Sequence, residues 1–174
     1  MPEFWRIGGK LISRSRIARR IDQLLELRAG GASQSEAAGR IGTDRSFVSR
    51  LEALGELRKG GRTALIAHPI KNKEELVRLA ESYGVEMVLV LNNEERWRYI
   101  ERDGAALFNS ITELMSDVKA FDSVVLIGSD RWVRLAERLL GDAVIAYELG
   151  SSPIEGDREV DLLLVDSILR EISV

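Results

Sequence analysis

Two kinds of hydrophobic pattern divide the chain. Before about Leu57, apolar residues recur every three or four positions, which is typical of amphipathic helices. After Arg62, short and nearly continuous apolar runs alternate with amphipathic stretches, which is typical of buried parallel strands separated by helices. The pattern predicts a helical N-terminal domain, residues 1–61, and an α/β C-terminal domain, residues 62–174, whose mostly parallel, Rossmann-like sheet forms three layers with its helices.

The N-terminal domain is expected to open with a small β-hairpin over residues 4–13. Two apolar-alternating runs flank Gly8 and Gly9, a pair that tolerates the positive φ angles of a tight turn. Residues 14–29 then carry apolar side chains at helical spacing, and Gly30 follows them as a typical end of a helix. The domain therefore has a first helix over residues 14–29.

Residues 33–54 predict two short helices joined by a tight turn. Ser33 and Glu36 have the spacing of a capping box, in which each side chain accepts a hydrogen bond from the other residue's backbone N–H group. Gly42 allows positive φ at the turn. Either Thr43 or Asp44 is expected to cap the helix that follows.

The spacing within this segment, SQSEAAGRIGTDRSFVSRLEAL, resembles the helix-turn-helix of phage repressors and related bacterial transcription regulators. A small residue, Ala38, stands where the helices would cross, and the apolar Ile41, Val48 and Leu51 would pack the second helix on the first. The resemblance implies that the second helix enters the major groove of duplex DNA and that Gln34 contacts the DNA backbone. The residues expected to contact DNA are Gln34, Ser35, Thr43, Asp44, Arg45, Ser46, Ser49, Arg50, Arg58 and Lys59.

Two other interpretations of this segment stay open. A helical hairpin with the same spacing can form a protein interface, and a basic helix pair can bind DNA without much sequence preference. Asp44 would repel phosphate if it pointed at the DNA backbone, whereas it can instead cap its helix or accept a hydrogen bond from cytosine.

Charge is distributed unevenly along the chain. Residues 1–62 contain 13 Lys and Arg against 7 Asp and Glu, a net charge of +6, and the remaining 112 residues contain 12 against 21, a net charge of −9. A basic module tethered to an acidic one favours a polyanionic partner for the N-terminal half. Arg58 and Lys59 precede Gly60 and Gly61 in a basic link, which is the natural domain boundary.

The C-terminal domain alternates strand and helix patterns. Strands are expected at residues 63–67, 86–91, 123–127, 143–147 and 160–165. Helices are expected at residues 72–83, 93–104, 107–118 and 129–140, and residues 166–172 are expected to close the chain as a helix or a strand. Side chains expected to face the core on the apolar stripes of these helices include Trp97, Ile111, Trp132 and Leu139.

Residues at the carboxyl ends of these strands are candidates for ligand binding. Parallel sheets bind ligands there because helix N-termini offer free N–H groups and a partial positive charge. Gly128 would let a phosphate approach the backbone, and Ser129 can donate a hydrogen bond or simply cap the next helix. The chain has no GxGxxG, phosphate-loop or GxSxG motif. The candidates for a small anionic ligand are His68, Asn92, Gly128, Ser129 and Asp130.

The segment VVLIGSDRW resembles a stretch of the metal-dependent nucleases of the NYN and PIN type, where an aspartate at a strand end holds a divalent metal. Those families also have an aspartate at the end of their first strand, where this chain has ALIAHP and no carboxylate. Asp130 is then expected to stabilise its own helix as an acid of the first turn. With no cysteine and a single histidine, neither a metal nor a cofactor is expected, and no catalytic residue is assigned.

These patterns favour a DNA-binding transcriptional regulator that binds double-stranded DNA as a homodimer and whose C-terminal domain dimerises, senses a small effector, or does both. Two other functions stay open. One is an enzyme acting on a nucleotide or phosphorylated metabolite that the N-terminal domain recruits to DNA, and the other is a partition or chromosome-organising DNA binder. The chain has no run of about 18 apolar residues and no apolar block near its N-terminus, so we expect a cytoplasmic protein with no membrane association.

Overall fold

The computed structural model describes residues 2–56, 60–100 and 104–173, the last two residues of the middle range by their backbone only. The chain divides into two compact units, Met1–Glu56 and Leu57–Val174. The backbone N–H of Gly60 donates to the Ile172 carbonyl at 2.9 Å, so the glycine link is hydrogen-bonded to the C-terminal unit. Arg58 and Lys59, two of the expected DNA contacts, lie outside the described residues.

The N-terminal unit begins with an antiparallel hairpin of β1, Phe4–Ile7, and β2, Lys10–Ser13. Positive φ was expected at both glycines of the turn; Gly8 has it, with a φ of 57°, whereas the φ of Gly9 is not positive. Helix α1, Arg14–Ala29, follows directly, and the Ser13 hydroxyl caps it by accepting from the Arg16 N–H. The hairpin and the first helix are therefore confirmed at their expected positions.

Two shorter helices complete this unit, α2 at Gln34–Ile41 and α3 at Arg45–Gly55. Each has one buried side that packs into a small shared core. Because that core is small, each of its side chains contributes a large share of the stability of the unit. Its fully buried members are Leu24, Ala38 and Val48, with the partly buried Ile41 and Leu51 packed against them.

The described part of the C-terminal unit contains a parallel sheet in the order β4-β3-β5-β6. Its strands are β3 at Thr63–Ala67, β4 at Met87–Val90, β5 at Ser123–Ser129 and β6 at Val144–Gly150. The helices around it are α4 at Lys73–Ser82, α5 at Asn93–Ile100, α6 at Gly104–Val118, α7 at Asp130–Leu140 and α8 at Leu162–Ile172, with a short 3-10 turn at Gly141–Ala143.

Alternate residues of the central strands face opposite sides of the sheet. Leu65 and Val125 pack in one core with residues of α4 and α8, whereas Ile66 and Leu126 pack in a second core with residues of α6 and α7. Since both faces of the central strands are covered, β3 and β5 are almost continuously apolar, and the expected α/β arrangement with helices on both faces of a parallel sheet is confirmed.

The strand expected at residues 160–165 is wrong, because this segment begins α8 instead. The Asp161 carboxylate accepts hydrogen bonds from the N–H groups of Leu163 and Leu164, which caps the helix. Val165 and Leu169 are fully buried on one side of that helix, while Leu163 is 83% exposed. A continuous apolar run matches a buried strand as well as a half-buried helix, so the run alone did not distinguish the two.

Three side chains expected in the core are largely outside it. Trp97 is 50% exposed, and Ile111 and Leu139 are each 49% exposed. Trp132 does pack against the core on the α6 and α7 side of the sheet, as expected. The periodicity located one apolar face on each helix. How much of that face the sheet covers depends on the position and rotation of the helix on the sheet. None of the described helices combines the length and the apolar character that crossing a membrane requires.

Candidate functional site

The turn between α2 and α3 is built from three consecutive residues. Gly42 adopts the left-handed conformation, with φ 75° and ψ 42°, and ends α2 by donating its N–H to the Ala38 carbonyl. The Asp44 carboxylate accepts the Phe47 N–H at 2.8 Å and begins α3, so Asp44 rather than Thr43 supplies the cap. The two caps determine where the helices end and begin at this turn.

The other end of α2 carries the expected capping box. The Glu36 N–H donates to the Ser33 hydroxyl at 3.2 Å, and the Ser33 N–H donates to the Glu36 carboxylate at 2.8 Å. The hydrogen bonds from Ser33 hold the pKa of Glu36 below its usual value. This helix is therefore closed at both ends by interactions that its own sequence specifies.

A polar network that the sequence did not reveal connects all three helices. Glu52 of α3 accepts from Arg28 of α1 at 2.5 Å and from the Gln34 amide of α2 at 2.7 Å. The Gln34 carbonyl oxygen in turn accepts from Nε of Arg45 at 3.3 Å. The Arg28 hydrogen bond, followed by the Gln34 bond, lowers the pKa of Glu52. Gln34, expected to contact the DNA backbone, thus has its amide engaged within the unit.

The side of α3 that points away from the core carries the residues expected to contact bases. Ser46 and Arg50 are one helical turn apart on the side opposite the fully buried Val48, and Nε of Arg50 donates to the Ser46 carbonyl at 3.3 Å. Of the expected contact residues that are described, Gln34 and Thr43 are half-buried, and those that are exposed are Ser35, Asp44, Arg45, Ser46, Ser49 and Arg50.

In the C-terminal unit the ligand candidates meet at the carboxyl edge of the sheet. The chain places β4 on one side of β3 and then returns to place β5 on the other side of β3. The direction in which successive strands are added to the sheet therefore reverses between β3 and β5. Open parallel sheets bind ligands in the crevice at such a switch point. His68 directly follows β3, and Gly128 and Ser129 end β5, so these three candidates lie at the switch point.

Asp130 and Asn92 are both engaged in local hydrogen bonds. The Asp130 carboxylate pairs with Arg134 at 2.5 Å and accepts the Ser152 N–H at 2.7 Å, which connects the start of α7 to the segment after β6. Arg134 and the Ser152 N–H together lower the pKa of Asp130. Asn92 accepts the Glu95 N–H at 2.8 Å and donates its own N–H to Glu95 at 3.0 Å, which forms a capping box at α5.

The switch point itself is occupied by an aromatic side chain. A Cβ atom at Gly128 would lie 3.0 Å from the Trp132 indole and 3.4 Å from the His68 carbonyl oxygen, so glycine at 128 makes room for Trp132. The rings of Trp132 and His68 lie 5.5 Å apart at an angle of 52°. Ser129 stands at the N-cap of α7 without a side-chain capping hydrogen bond.

Three side-chain nitrogens of this region are buried without a hydrogen-bond partner among the described residues. They are Nδ1 of His68, Nε of Arg96 and Nε1 of Trp132, which we call the nitrogen cluster. Burial of the imidazole, with a smaller contribution from the positive charge of Arg96, lowers the pKa of His68 to about 4. His68 is therefore neutral at pH 7. Arg96 and Trp132 were not among the sequence candidates, because both lie inside helices and no motif marks them.

Comparisons with protein-family models, with curated proteins and with solved structures give no significant match to this chain.

Proposed function

We propose that this chain is a sequence-specific, DNA-binding transcriptional regulator in which α3 is the recognition helix. The observation that carries the proposal is the composition of the free side of α3, where Arg45, Ser46, Ser49 and Arg50 are exposed while Val48 anchors the helix in the core. An α-helix fits the major groove of B-DNA, and arginine and serine are among the side chains that hydrogen-bond to base edges there.

The hydrogen bonds of the two arginines support this role. Arg45 uses Nε to bond to Gln34, and Arg50 uses Nε to bond to the Ser46 carbonyl, each at 3.3 Å. A guanidinium held through Nε keeps its two terminal nitrogens for other acceptors. Two parallel N–H donors are what the O6 and N7 atoms of guanine accept from arginine. The Gln34 and Glu52 network would therefore orient Arg45 before DNA binds.

The proposal includes a homodimer, because one recognition helix makes too few base contacts for strong specificity and a two-fold dimer doubles them. Large apolar side chains on α6 and α7 support an interface in the C-terminal unit. Phe108 is 70% exposed, Ile111 and Leu139 are each 49% exposed, and Leu135 is 46% exposed. Such exposed apolar groups on neighbouring helices are typical of association surfaces.

The test begins with selection of a preferred sequence from random duplex DNA. The Arg45→Ala and Arg50→Ala variants are then measured on that sequence and on random DNA. If each arginine contacts a base, the loss is about 1–3 kcal/mol on the preferred sequence and much smaller on random DNA. Arg78→Ala is the matched control, since Arg78 is an exposed arginine on α4 of the other unit and its loss removes the same charge.

Three outcomes would contradict parts of the proposal. Equal losses on both DNAs would mean that the arginines contact only phosphate, and absence of DNA binding would overturn the function. Sedimentation showing a monomer both with and without DNA would overturn the dimer. Genome-wide mapping of bound sites would separate a regulator of a few promoters from a chromosome-organising protein, which would occupy many spaced sites.

A further inference from the structure

We propose that the nitrogen cluster of His68, Arg96 and Trp132 binds one oxyanion group, a carboxylate or a phosphate, of a small ligand. The inference rests on the proposed function only in that it makes this ligand the effector of a regulator. Its structural basis is independent of DNA binding and lies entirely within the C-terminal unit.

The first support is the unpaired state of the cluster. Nε of Arg96 and Nε1 of Trp132 each carry an N–H that cannot reach water and has no acceptor among the described residues. Native proteins pair nearly all such buried donors, because an unmade hydrogen bond forfeits the hydration that the group has in the unfolded chain. An oxyanion supplied by a ligand would provide the acceptors that these two donors lack.

The second support is the location. The three residues come from segments that follow three neighbouring strands, with His68 after β3, Arg96 in α5 after β4 and Trp132 in α7 after β5. This is the carboxyl edge of the sheet at its switch point, where open parallel sheets bind their ligands. All three side chains are half-buried, so the cluster lies near the surface although its nitrogens are covered.

The third support is charge. Asp130 pairs with Arg134 at 2.5 Å and Glu95 pairs with Lys73 at 2.6 Å, whereas the Asp157 carboxylate accepts the Asn93 N–H at 2.6 Å. Arg96 forms no ion pair with any carboxylate among the described residues. An anion would make a charge-assisted hydrogen bond with the Arg96 guanidinium.

The Arg96 side chain is also held in place. One terminal nitrogen donates to the Asn93 side chain at 2.7 Å, and the guanidinium lies over the Trp97 ring at 5.4 Å. Nε of Arg96 is buried, and the charge of Arg96 lowers the pKa of His68, so the guanidinium lies close enough to the imidazole to act on it. Neutral His68 can donate from Nδ1 to an oxyanion oxygen or accept there from a ligand hydroxyl.

The test uses the full chain without DNA and the indole N–H signals of its three tryptophans in ¹H–¹⁵N spectra. Trp5→Phe, Trp97→Phe and Trp132→Phe variants assign the signals. Inorganic phosphate and acetate are the probes, each added at constant ionic strength against chloride. The expected result is a saturable shift of the Trp132 signal with at least one probe, while the Trp5 signal stays unchanged.

Arg96→Gln removes the charge and the Nε–H donor, and we expect it to weaken that binding by about tenfold or more. Arg98→Gln is the matched control because Arg98 is an exposed arginine on the same helix, ion-paired with Glu94, and it should change the affinity by less than about twofold. If Arg96→Gln does not fold, Trp132→Phe retains the ring without the donor, and acetate or phosphate affinity can be followed by calorimetry.

A shift that rises linearly without saturation, or a saturable shift that is equal in the Arg96→Gln variant, would overturn the proposal. So would an ordered water bound to all three nitrogens that phosphate and acetate do not displace, because a water could pair the same atoms. Since no DNA is present, failure of this titration leaves the DNA-binding proposal standing, and failure of DNA binding leaves this result unchanged.

Discussion

His68 should make the stability of the C-terminal unit depend on pH above the range in which carboxylates titrate. Its pKa is lowered from 6.5 to about 4 because the protonated ring would be buried close to Arg96. The folded protein therefore binds this proton less readily than the unfolded chain. The contribution of neutral His68 to the free energy of unfolding is therefore fully present above about pH 6.5 and is lost as the pH falls towards about 4.

The size of the effect follows from that pKa difference. Each pH unit between the two pKa values costs up to about 1.4 kcal/mol for one group, so the loss between about pH 7 and about pH 5 is on the order of 2 kcal/mol. The lowered pKa values of Glu95 and Asp130 start below this window, from 4.5 and 3.8. Their contributions to stability are lost at lower pH, so His68 dominates the change.

Urea unfolding at the two pH values measures the effect. In a Trp5→Phe background the remaining tryptophans, Trp97 and Trp132, both belong to the C-terminal unit, so fluorescence follows that unit alone. His68→Leu in the same background removes the titration while retaining an apolar side chain. We expect the parent to lose about 2 kcal/mol more than the variant between about pH 7 and about pH 5.

Equal losses in the parent and the His68→Leu variant would refute this reasoning. A parent that is more stable at the lower pH would refute it more strongly, because the sign of the linkage would be reversed. Buffers without phosphate or carboxylate keep the measurement separate from anion binding at the nitrogen cluster.

Three predictions concern the N-terminal unit. Leu24→Ala should lower the free energy of unfolding by about 2–5 kcal/mol, which is a large part of the roughly 3–8 kcal/mol expected for a unit of this size. Helicity and DNA binding should therefore both fall. Leu54→Ala is the control and should change little, because Leu54 is 85% exposed. Gly42→Ala should lower stability by about 1 kcal/mol because φ is 75°, while Gly39→Ala within α2 should raise it by up to about 1 kcal/mol, both measured by urea unfolding. Glu52→Gln removes the ion pair across the helices and should lower the melting temperature; an unchanged value would mean that the network adds no stability.

Local sequence accounts well for the N-terminal unit. The hairpin glycines, the capping box of Ser33 and Glu36, and the turn at Gly42 all occur where the sequence predicts them. Each depends on hydrogen bonds between residues a few positions apart, so the residue types themselves are sufficient to specify it. The same holds for the apolar runs that became β3 and β5, since a run covered on both faces has few other ways to be buried.

The sequence patterns were not sufficient to predict how each helix packs on the sheet. The apolar stripe predicted that Trp97 lies in the core. In the structure Trp97 is 50% exposed, and the Arg96 guanidinium lies over its ring. The apolar run at residues 160–165 was compatible with strand and helix alike, and the Asp161 cap together with the burial of α8 on one side decided for helix.

What the sequence by itself determined was most of the helices and strands, the caps at α2 and the uneven charge. Only the tertiary structure decided which polar groups meet. Glu52 pairs with Arg28, which is 24 positions away in the sequence, and Asp130 accepts a hydrogen bond from Ser152, which is 22 positions away. The nitrogen cluster consists of residues from three separate segments. Local patterns report on hydrogen bonds within a turn or a helix, whereas these groupings depend on the path of the whole chain, which brings distant residues to the same edge of a sheet.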